Sequence, residues 1–263
     1  MNILEKIALD KRAEVDEKKD LIPMKSLEMM PGFSRKCISL SERLRERDTG
    51  IIAEFKRRSP SIAELNLDAD VKQVTGGYEK AGASGISVLT DEIYFGGTMD
   101  DLFAAREEVK IPILRKDFMI DEYQILESKA IGADVILLIA ALLKKDEIKA
   151  FSKLAKSLGM DVLLEVHNEE ELQKSIMPSI DMIGVNNRNL KTFEVNTNIS
   201  KELSEKIPSE FVKVSESGIS STAAIKDLQK YGFQGFLIGG NFMKTEDPGK
   251  SAEEFIRELK LIK

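Results

Sequence analysis

The stretch IPILRKDF, residues 111–118, places a short apolar run directly before a cluster of charges. A run of this kind is typical of a strand buried in a parallel sheet. The charges that follow it are Arg115, Lys116 and Asp117. For a single strand, the simplest explanation is that the chain has reached solvent. A functional interpretation becomes preferable only if other strands end in the same way.

Strand-like and helix-like segments alternate along the chain on both sides of this stretch. Each of eight predicted strands is followed by a segment whose apolar residues have helical spacing. The predicted strands are residues 51–55, 85–90, 111–115, 134–140, 162–166, 182–185, 211–215 and 235–238, and the helices that follow them are residues 71–81, 99–108, 121–130, 144–158, 169–176, 198–206, 222–231 and 252–259.

Eight strands that alternate with helices predict parallel pairing through right-handed crossovers, and therefore an α/β fold with a single (β/α)8 TIM barrel. A doubly wound sheet is the alternative, but it usually has fewer strands and a glycine-rich phosphate loop after the first. Here FKRRSPS follows the first strand, whereas glycine turns follow the last two. We predict one structural domain, with the barrel over residues 49–263 and an N-terminal helical extension over residues 1–48 packed on it.

The predicted extension contains helices over residues 3–19 and 40–47, where apolar residues recur at helical spacing. Residues 59–67, SPSIAELNL, form a long loop after the first strand. A loop of this length in a compact domain is usually functional or mobile.

Composition limits the classes of function that this chain can have. Its 263 residues include 39 Lys+Arg and 45 Asp+Glu, a formal net charge of −6, and no basic block indicates nucleic-acid binding. The amino terminus lacks a signal-peptide pattern, and the longest apolar run, residues 135–143, is too short to span a bilayer. We expect a cytoplasmic protein, a monomer or weak homo-oligomer, with neither a membrane nor a nucleic-acid partner.

Cys37 is the only cysteine and His167 the only histidine. This composition excludes an intrachain disulfide and a metal cluster built from His and Cys. Catalysis is therefore expected to depend on carboxylates, lysines, hydroxyls and backbone amides.

Polar residues recur where the predicted strands end, and in a barrel those carboxyl ends meet at one mouth where active sites lie. Glu54 and Glu165 lie within apolar strand sequence, where an unpaired carboxylate is strongly disfavoured. Such carboxylates must therefore be paired or functional, and their position at the mouth favours an active site. One alternative to an active site is a structural Lys/Glu network that closes the mouth. Another is Mg²⁺ held by three glutamates, which neighbouring lysine cations would oppose. The residues brought together are Glu54, Lys56, Lys116, Glu165, Asn186, Arg188, Glu216 and Ser217.

Two glycine turns, Ser217-Gly218 and Gly239-Gly240, follow the last two predicted strands. Barrels commonly bind phosphate there through backbone amides, because glycine lets the backbone approach the oxygens closely. A small phosphorylated substrate is therefore the expected partner. Arg57 and Arg58 either add positive charge for such a substrate or are simply solvated.

Nine segments, spread over nearly the whole chain, form a set of motifs: ILEKIALDKRAEV, IIAEFKRRSPS, GASGISVLTDEIYFGG, IPILRKDF, GADVILLIAALL, LLEVHN, IGVNNRNL, VKVSESGIS and FLIGGNFM. Taken together, they resemble the motifs of the indole-3-glycerol-phosphate synthase family, in the same order. The resemblance implies a barrel with a helical extension that converts 1-(2-carboxyphenylamino)-1-deoxyribulose 5-phosphate into indole-3-glycerol phosphate, CO₂ and water in tryptophan biosynthesis, without a cofactor.

The resemblance also implies roles for individual residues. Lys116 would be the general acid and Glu165 the general base, while Lys56 would bind the substrate carboxylate and assist the acid. The four apolar residues of the predicted site, named last below, are equally well explained by core packing. Orientation of the ligand, acid and base would fall to Glu54, Asn186, Arg188, Glu216 and Ser217, phosphate binding to Ser217, Gly218, Gly239 and Gly240, and the wall around the aromatic ring to Phe95, Phe118, Leu137 and Leu190.

Elementary chemistry agrees with these roles. Ring closure onto a carbonyl needs a proton at its oxygen, and a lysine cation held by a carboxylate can donate one. Loss of CO₂ then restores aromaticity, and loss of hydroxide needs an acid again. A carboxylate can stabilise the cationic nitrogen and take up the last proton. No metal or nicotinamide is required.

Two positions depart from the family pattern: Ala63, where glycine is frequent, and Gly240, where serine or a larger residue is more usual. Two other functions remain as alternatives. A barrel resembling phosphoribosylanthranilate isomerase would need a Cys/Asp pair, but Cys37 lies in the predicted extension. A non-catalytic ligand-binding barrel would have no need of the two lysines and Glu165 together.

Overall fold

The structure, a computed structural model, describes residues 3–46, 49–60, 62, 64–190 and 192–261. Its strands form a closed parallel barrel in which each strand pairs with its neighbour in sequence and the last pairs with the first. The predicted TIM barrel is therefore confirmed, and a doubly wound sheet, which has two free edges, is excluded. The strands are β1 (Ile51–Phe55), β2 (Gly85–Leu89), β3 (Ile113–Lys116), β4 (Val135–Ile139), β5 (Asp161–Val166), β6 (Met182–Asn186), β7 (Val212–Glu216) and β8 (Phe233–Ile238).

Helices connect the strands and cover the outside of the barrel, with a short 3₁₀ helix at Pro31–Ser34 before the barrel begins. The α-helices are α1 (Ile3–Leu21), α2 (Met24–Glu28), α3 (Leu40–Glu46), α4 (Val71–Ala81), α5 (Glu92–Phe95), α6 (Met99–Glu108), α7 (Glu122–Ala130), α8 (Lys145–Ser157), α9 (Glu169–Ser175), α10 (Asn198–Ser204), α11 (Thr222–Gln229), α12 (Gly240–Met243) and α13 (Pro248–Leu261).

Capping residues set the starts of several of these helices. The Asp70 side chain accepts a hydrogen bond from the backbone N–H of Gln73 at the start of α4, and Thr98 and Asp101 form a reciprocal capping box at the start of α6. Each side chain satisfies a backbone donor that the helix itself leaves unpaired. The predicted positions of these two helices are therefore confirmed to the residue.

Some elements differ from the sequence prediction. Strand β3 was expected over residues 111–115 but begins at Ile113, because Pro112 has no backbone N–H with which to enter the ladder. Helices α2, α5 and α12 and the 3₁₀ helix were not predicted, since four or five residues are too few to show a helical period. The residue Arg47 at the end of a predicted helix, the predicted boundary at residue 48 and the departure at Ala63 lie outside the described residues.

The helical extension contacts both ends of the barrel. At the amino-terminal end, the backbone N–H of Ser41 in α3 donates to the carboxylate of Asp161, at the start of β5, and Leu40 lies against Gly85 at the start of β2. At the other end, Ile7 of α1 packs with the side chains that fill the barrel interior. The extension thus runs from the mouth of the barrel to its base.

No helix within the described residues has both the length and the apolar character needed to cross a membrane.

Candidate active site

A cavity of about 460 Å³ opens at the carboxyl ends of the strands. The closed barrel brings every residue predicted for the site to its lining, although those residues come from all eight strands or the segments that follow them. The individual roles of these residues stay predictions. The set comprises Glu54, Lys56, Phe95, Lys116, Phe118, Leu137, Glu165, Asn186, Arg188, Leu190, Glu216, Ser217, Gly218, Gly239 and Gly240.

Lys116, at the end of β3, lies between two buried carboxylates. Its Nζ is 3.1 Å from Oε2 of Glu165 and 3.2 Å from Oε2 of Glu216. Burial by itself would lower the pKa of Lys116, but the negative charges of these glutamates outweigh it and raise the pKa. The side chain is therefore an ammonium at neutral pH. Its positive charge opposes the binding of Mg²⁺ by the same carboxylates.

The two carboxylates beside Lys116 differ in protonation. Burial raises the pKa of Glu216 to about 7, because it outweighs the attraction of Lys116, and the charge of Glu165 adds to the effect. The pKa of Glu165 is lowered to about 2: burial opposes its charge, but Lys116, His167 and a hydrogen bond from Asn186 outweigh burial. Glu165 is thus an anion at neutral pH, the state that a general base requires.

The second lysine of the cavity, Lys56, forms an ion pair with Glu54 across 2.5 Å, just beyond the end of β1. Gly239, at the end of β8, makes room for that pair, since a Cβ atom there would lie 2.4 Å from Oε1 of Glu54. The predicted phosphate glycine therefore also has a packing reason to be glycine.

The turn after β7 has an unusual backbone. Ser217 has φ 66° and Gly218 has φ 77°, so two consecutive residues adopt the left-handed conformation. For a residue with a side chain this conformation costs free energy and is concentrated at functional sites. The amide of the buried Asn187 holds the turn by donating hydrogen bonds to the backbone oxygens of Glu216 and Ser217. Asn187 was not predicted, although it belongs to the NNRNL segment that was quoted.

The apolar wall of the cavity is larger than predicted. The rings of Phe95 and Phe118 lie 6.1 Å apart at 42°, and the cavity also borders residues from the first turns of α1, namely Ile3, Leu4 and Ile7. The helical spacing of these three residues indicated that α1 packs on another surface. It gave no indication that this surface is the site itself.

His167, the only histidine, lies directly after β5 and contacts the predicted base. Its Nε2 is 3.4 Å from Oε1 of Glu165, and its Nδ1 is 3.1 Å from Oε2 of Glu171. The expectation that catalysis depends only on carboxylates, lysines, hydroxyls and amides left this residue out. A signal was present in the sequence, because residues two apart on a strand lie on the same face.

Arg57 and Arg58 lie outside the lining of the cavity. Arg57 donates to both oxygens of Asp101, at 2.6 and 2.8 Å, and Arg58 donates to the backbone oxygens of Glu92 and Ile93. Both side chains fasten loops around the mouth instead of lining the cavity or extending freely into solvent. Cys37 packs against the backbone oxygen of Ala133, before β4, away from the mouth.

Comparison with known proteins identifies the family. A family model described as indole-3-glycerol phosphate synthase matches residues 4–257. The chain belongs to the indole-3-glycerol phosphate synthase family. The family predicted from the motifs is thus confirmed, and with it the predicted synthase function, a carboxy-lyase of tryptophan biosynthesis.

Proteins named indole-3-glycerol phosphate synthase resemble this chain over most of their length. The protein from Bacteroides thetaiotaomicron is 45% identical over 258 residues, which cover 98% of this chain and 99% of the relative. The protein from Leptospira interrogans is 46% identical over 214 residues, 81% of this chain and 84% of the relative. The protein from Carboxydothermus hydrogenoformans is 42% identical over 258 residues, 95% of this chain and 98% of the relative.

Two solved structures share the fold at low identity. Native KDPGal has a TM-score of 0.58 at 11% identity, covering 81% of this chain and 94% of its own. Thiamine phosphate pyrophosphorylase from Pyrococcus furiosus has a TM-score of 0.59 at 16% identity, covering 84% and 99%. At such identities the similarity concerns the barrel alone.

Proposed function

We propose that this chain carries out the synthase reaction of its family with Lys116 as the general acid and Glu165 as the general base. The observation that supports this most directly is the position of the Lys116 ammonium, held between two buried carboxylates in the cavity. A cation so placed can deliver a proton to a substrate oxygen, and the ionised Glu165 beside it can accept one.

The substrate, 1-(2-carboxyphenylamino)-1-deoxyribulose 5-phosphate, has an aromatic end and an anionic end. We place its ring against Phe95 and Phe118, where the cavity is apolar, with Leu137 and Leu190 completing the wall. Its phosphate would lie on the backbone of the two glycine turns. A cavity of about 460 Å³ is of the size that binds small molecules.

The acid and base act in sequence. The ring carbon that bears the carboxylate bonds to the substrate carbonyl carbon while Lys116 protonates the carbonyl oxygen. The carboxylate then leaves as CO₂, and its bonding electrons restore the aromatic ring. The new hydroxyl leaves as water after a second protonation, and Glu165 takes a proton from the adjacent carbon to complete the indole. Substrate with an ionised carboxylate thus takes up one proton from solvent in each turnover.

The remaining polar residues would orient the substrate. Lys56 would face the substrate carboxylate after separating from Glu54, with which it forms an ion pair. Asn186 holds Glu165 through a hydrogen bond, and its Oδ1 accepts from the backbone N–H of Arg188. Glu216 holds Lys116 as well, at 3.2 Å. Together these contacts leave the acid and base little rotational freedom.

The test follows the formation of indole. The chain has no tryptophan, so indole fluorescence should rise over a quiet background when the substrate is added. We expect Lys116→Met to abolish turnover while the protein still binds substrate, and Lys145→Met, which changes an exposed lysine at the start of α8, to retain full activity. A folded wild-type protein that forms no indole would contradict the proposed function. Near-normal turnover in Lys116→Met would remove Lys116 from the acid role.

The predicted absence of a metal has its own test, since activity should survive exhaustive chelation. Loss of activity that Mg²⁺ restores would revive the metal alternative. The cytoplasmic location and the monomeric or weakly oligomeric state also stay predictions, and sedimentation of the purified protein measures the latter.

A further inference from the structure

The geometry points to a positioning role for His167: we propose that its positive charge keeps Glu165 ionised and in place during the steps in which Lys116 has lost its proton. This inference rests on the acid and base roles proposed above. It concerns a residue that those roles leave unused, although it lies against the base.

His167 and Lys116 contact different oxygens of the same carboxylate. Nε2 of His167 lies 3.4 Å from Oε1 of Glu165, whereas Nζ of Lys116 lies 3.1 Å from Oε2. The Nε2 atom is buried and has no hydrogen-bond partner among the described residues. A buried polar atom without a partner is costly, so its approach to the carboxylate needs a reason. Attraction between an imidazolium and the Glu165 anion supplies one.

The other edge of the ring is fixed by α9. Nδ1 of His167 lies 3.1 Å from Oε2 of Glu171, and the backbone N–H of His167 donates to the same oxygen at 2.8 Å. The second oxygen of Glu171 accepts from the side-chain amide of Asn168 at 2.9 Å. Both oxygens of Glu171 are thus held by hydrogen bonds, and Glu171 in turn orients the imidazole relative to the base.

The carboxylates that face His167 favour its charged form. They are Glu165 on β5, Glu171 on α9 and Glu216 on β7. Burial opposes a charge on the ring, but the hydrogen bond to Glu171 and the three negative charges outweigh it and raise the pKa of His167. The cation Lys116 contacts the other oxygen of the Glu165 carboxylate.

The reaction makes a second cation necessary. When Lys116 protonates the carbonyl oxygen, an N–H bond of the ammonium breaks and a neutral amine remains beside Glu165. Lys116 is the strongest influence that keeps the buried Glu165 ionised, because burial alone favours the neutral acid. The charge of His167 is not consumed in that step. Glu165 therefore remains a carboxylate until it takes the last proton from the substrate.

Single-turnover kinetics with enzyme in excess test this role, because the measured rate then does not include product release. The reaction is followed by indole fluorescence from about pH 6 to about pH 10, the range in which a histidine with a raised pKa loses its charge. The wild-type rate should fall at alkaline pH as His167 loses its charge. His167→Gln should react more slowly by on the order of tenfold, with little change in substrate affinity and without that alkaline decline.

Glu171→Gln provides a second variant that leaves His167 in the chain. Removing the Glu171 charge should lower the pKa of His167, so the alkaline decline should move to lower pH, an effect that a merely structural role would not produce. Glu170→Gln, at the exposed neighbouring position on α9, should follow the wild-type profile.

The proposal is overturned if His167→Gln reacts within about twofold of wild type across the pH range, or if the Glu171→Gln profile coincides with that of wild type. Should His167→Gln fail to fold, as judged by its thermal melting, the Glu171→Gln profile decides. A wild-type protein that forms no indole at all would instead overturn the proposed function, on which this inference rests.

Discussion

The ammonium of Lys11 lies 3.1 Å from a carboxylate oxygen of Asp117, and both side chains are buried. Lys11 belongs to helix α1, and Asp117 directly follows Lys116 at the end of β3. The same carboxylate oxygen of Asp117 accepts the backbone N–H of Phe118 at 2.8 Å. The helical extension is thus joined, by one ion pair, to the backbone that carries both the proposed acid and a wall of the cavity.

Lys11→Met should lower the free energy of unfolding by about 3–5 kcal/mol, the usual result of removing one partner from a buried ion pair. The reason is that Asp91, 2.9 Å from Lys11, and Asp117 would both remain buried. Urea unfolding measures the change. Lys6→Met, at an exposed position on the same helix, is the control. A loss similar to that of the control would mean that water or a shifted α1 compensates.

Glu216→Gln should change the pH dependence of stability. The pKa of Glu216 is about 7 in the folded protein and about 4.3 in an unfolded chain. Between these values the folded state binds more protons, so the free energy of unfolding of the wild type falls as pH rises. The variant lacks this loss and should gain stability relative to wild type between about pH 4 and about pH 8.

Urea unfolding of both proteins at each pH measures this gain. Glu210→Gln, an exposed position before β7, should show none. If the difference in free energy of unfolding between Glu216→Gln and wild type is the same at about pH 4 and at about pH 8, Glu216 does not titrate in this interval. Activity should fall in the variant, because Lys116 loses one of the two carboxyl groups that hold it.

Gly239→Ala should impair catalysis through Glu54. The added Cβ atom would lie 2.4 Å from Oε1 of Glu54, so the carboxylate must shift, and the shift would disturb its pair with Lys56. Gly240→Ala is a matched control, since a Cβ atom there meets nothing within 4 Å. We expect kcat/KM to fall by on the order of tenfold or more in the first variant and to change little in the second. Equal effects in both would show that the Glu54–Lys56 pair has no part in the reaction.

Gly240→Ser should tighten substrate binding. The cavity has room for the side chain, and a hydroxyl at this turn adds a donor for the substrate phosphate. A hydrogen bond to a charged group contributes about 1.5–3 kcal/mol, so KM should fall by roughly tenfold. Comparison with Gly240→Ala separates the hydroxyl from the added carbon. An unchanged KM in the serine variant would place the phosphate away from this turn.

The fold was predictable because eight repeats of one pattern carry redundant information. An error of two residues at β3, caused by Pro112, changed neither the strand count nor the residues that face the mouth. Short helices were missed because they depend on single contacts. For example, α5 begins where Asp91 accepts the N–H of Tyr94 and ends at the left-handed Gly96. Four residues carry no period that a sequence pattern could detect.

The polar residues and glycine turns of the cavity were predictable as a set, because strand ends converge in a barrel, whereas its apolar wall was implied only by the family resemblance. What could not be predicted were the pairings within it. The sequence alone does not indicate that Lys11, eighty residues from Asp91, balances its charge. Nor does it indicate that His167 turns toward Glu165. Such contacts depend on how α1 and α9 pack, and packing angles are not encoded in strand periodicity.

The closed order of strands also divides the chemistry between two halves of the chain. The proposed acid, Lys116, and Lys56 belong to the first four strands and the segments that follow them, whereas the proposed base, Glu165, and both glycine turns belong to the last four. A fragment that ends after β4 would carry cations without a base or a phosphate turn. A fragment that begins at β5 would carry the base and both glycine turns without Lys56 and Lys116. Synthase activity should therefore appear only after the two fragments associate, so enzyme assay of separately produced halves becomes a direct report on barrel assembly.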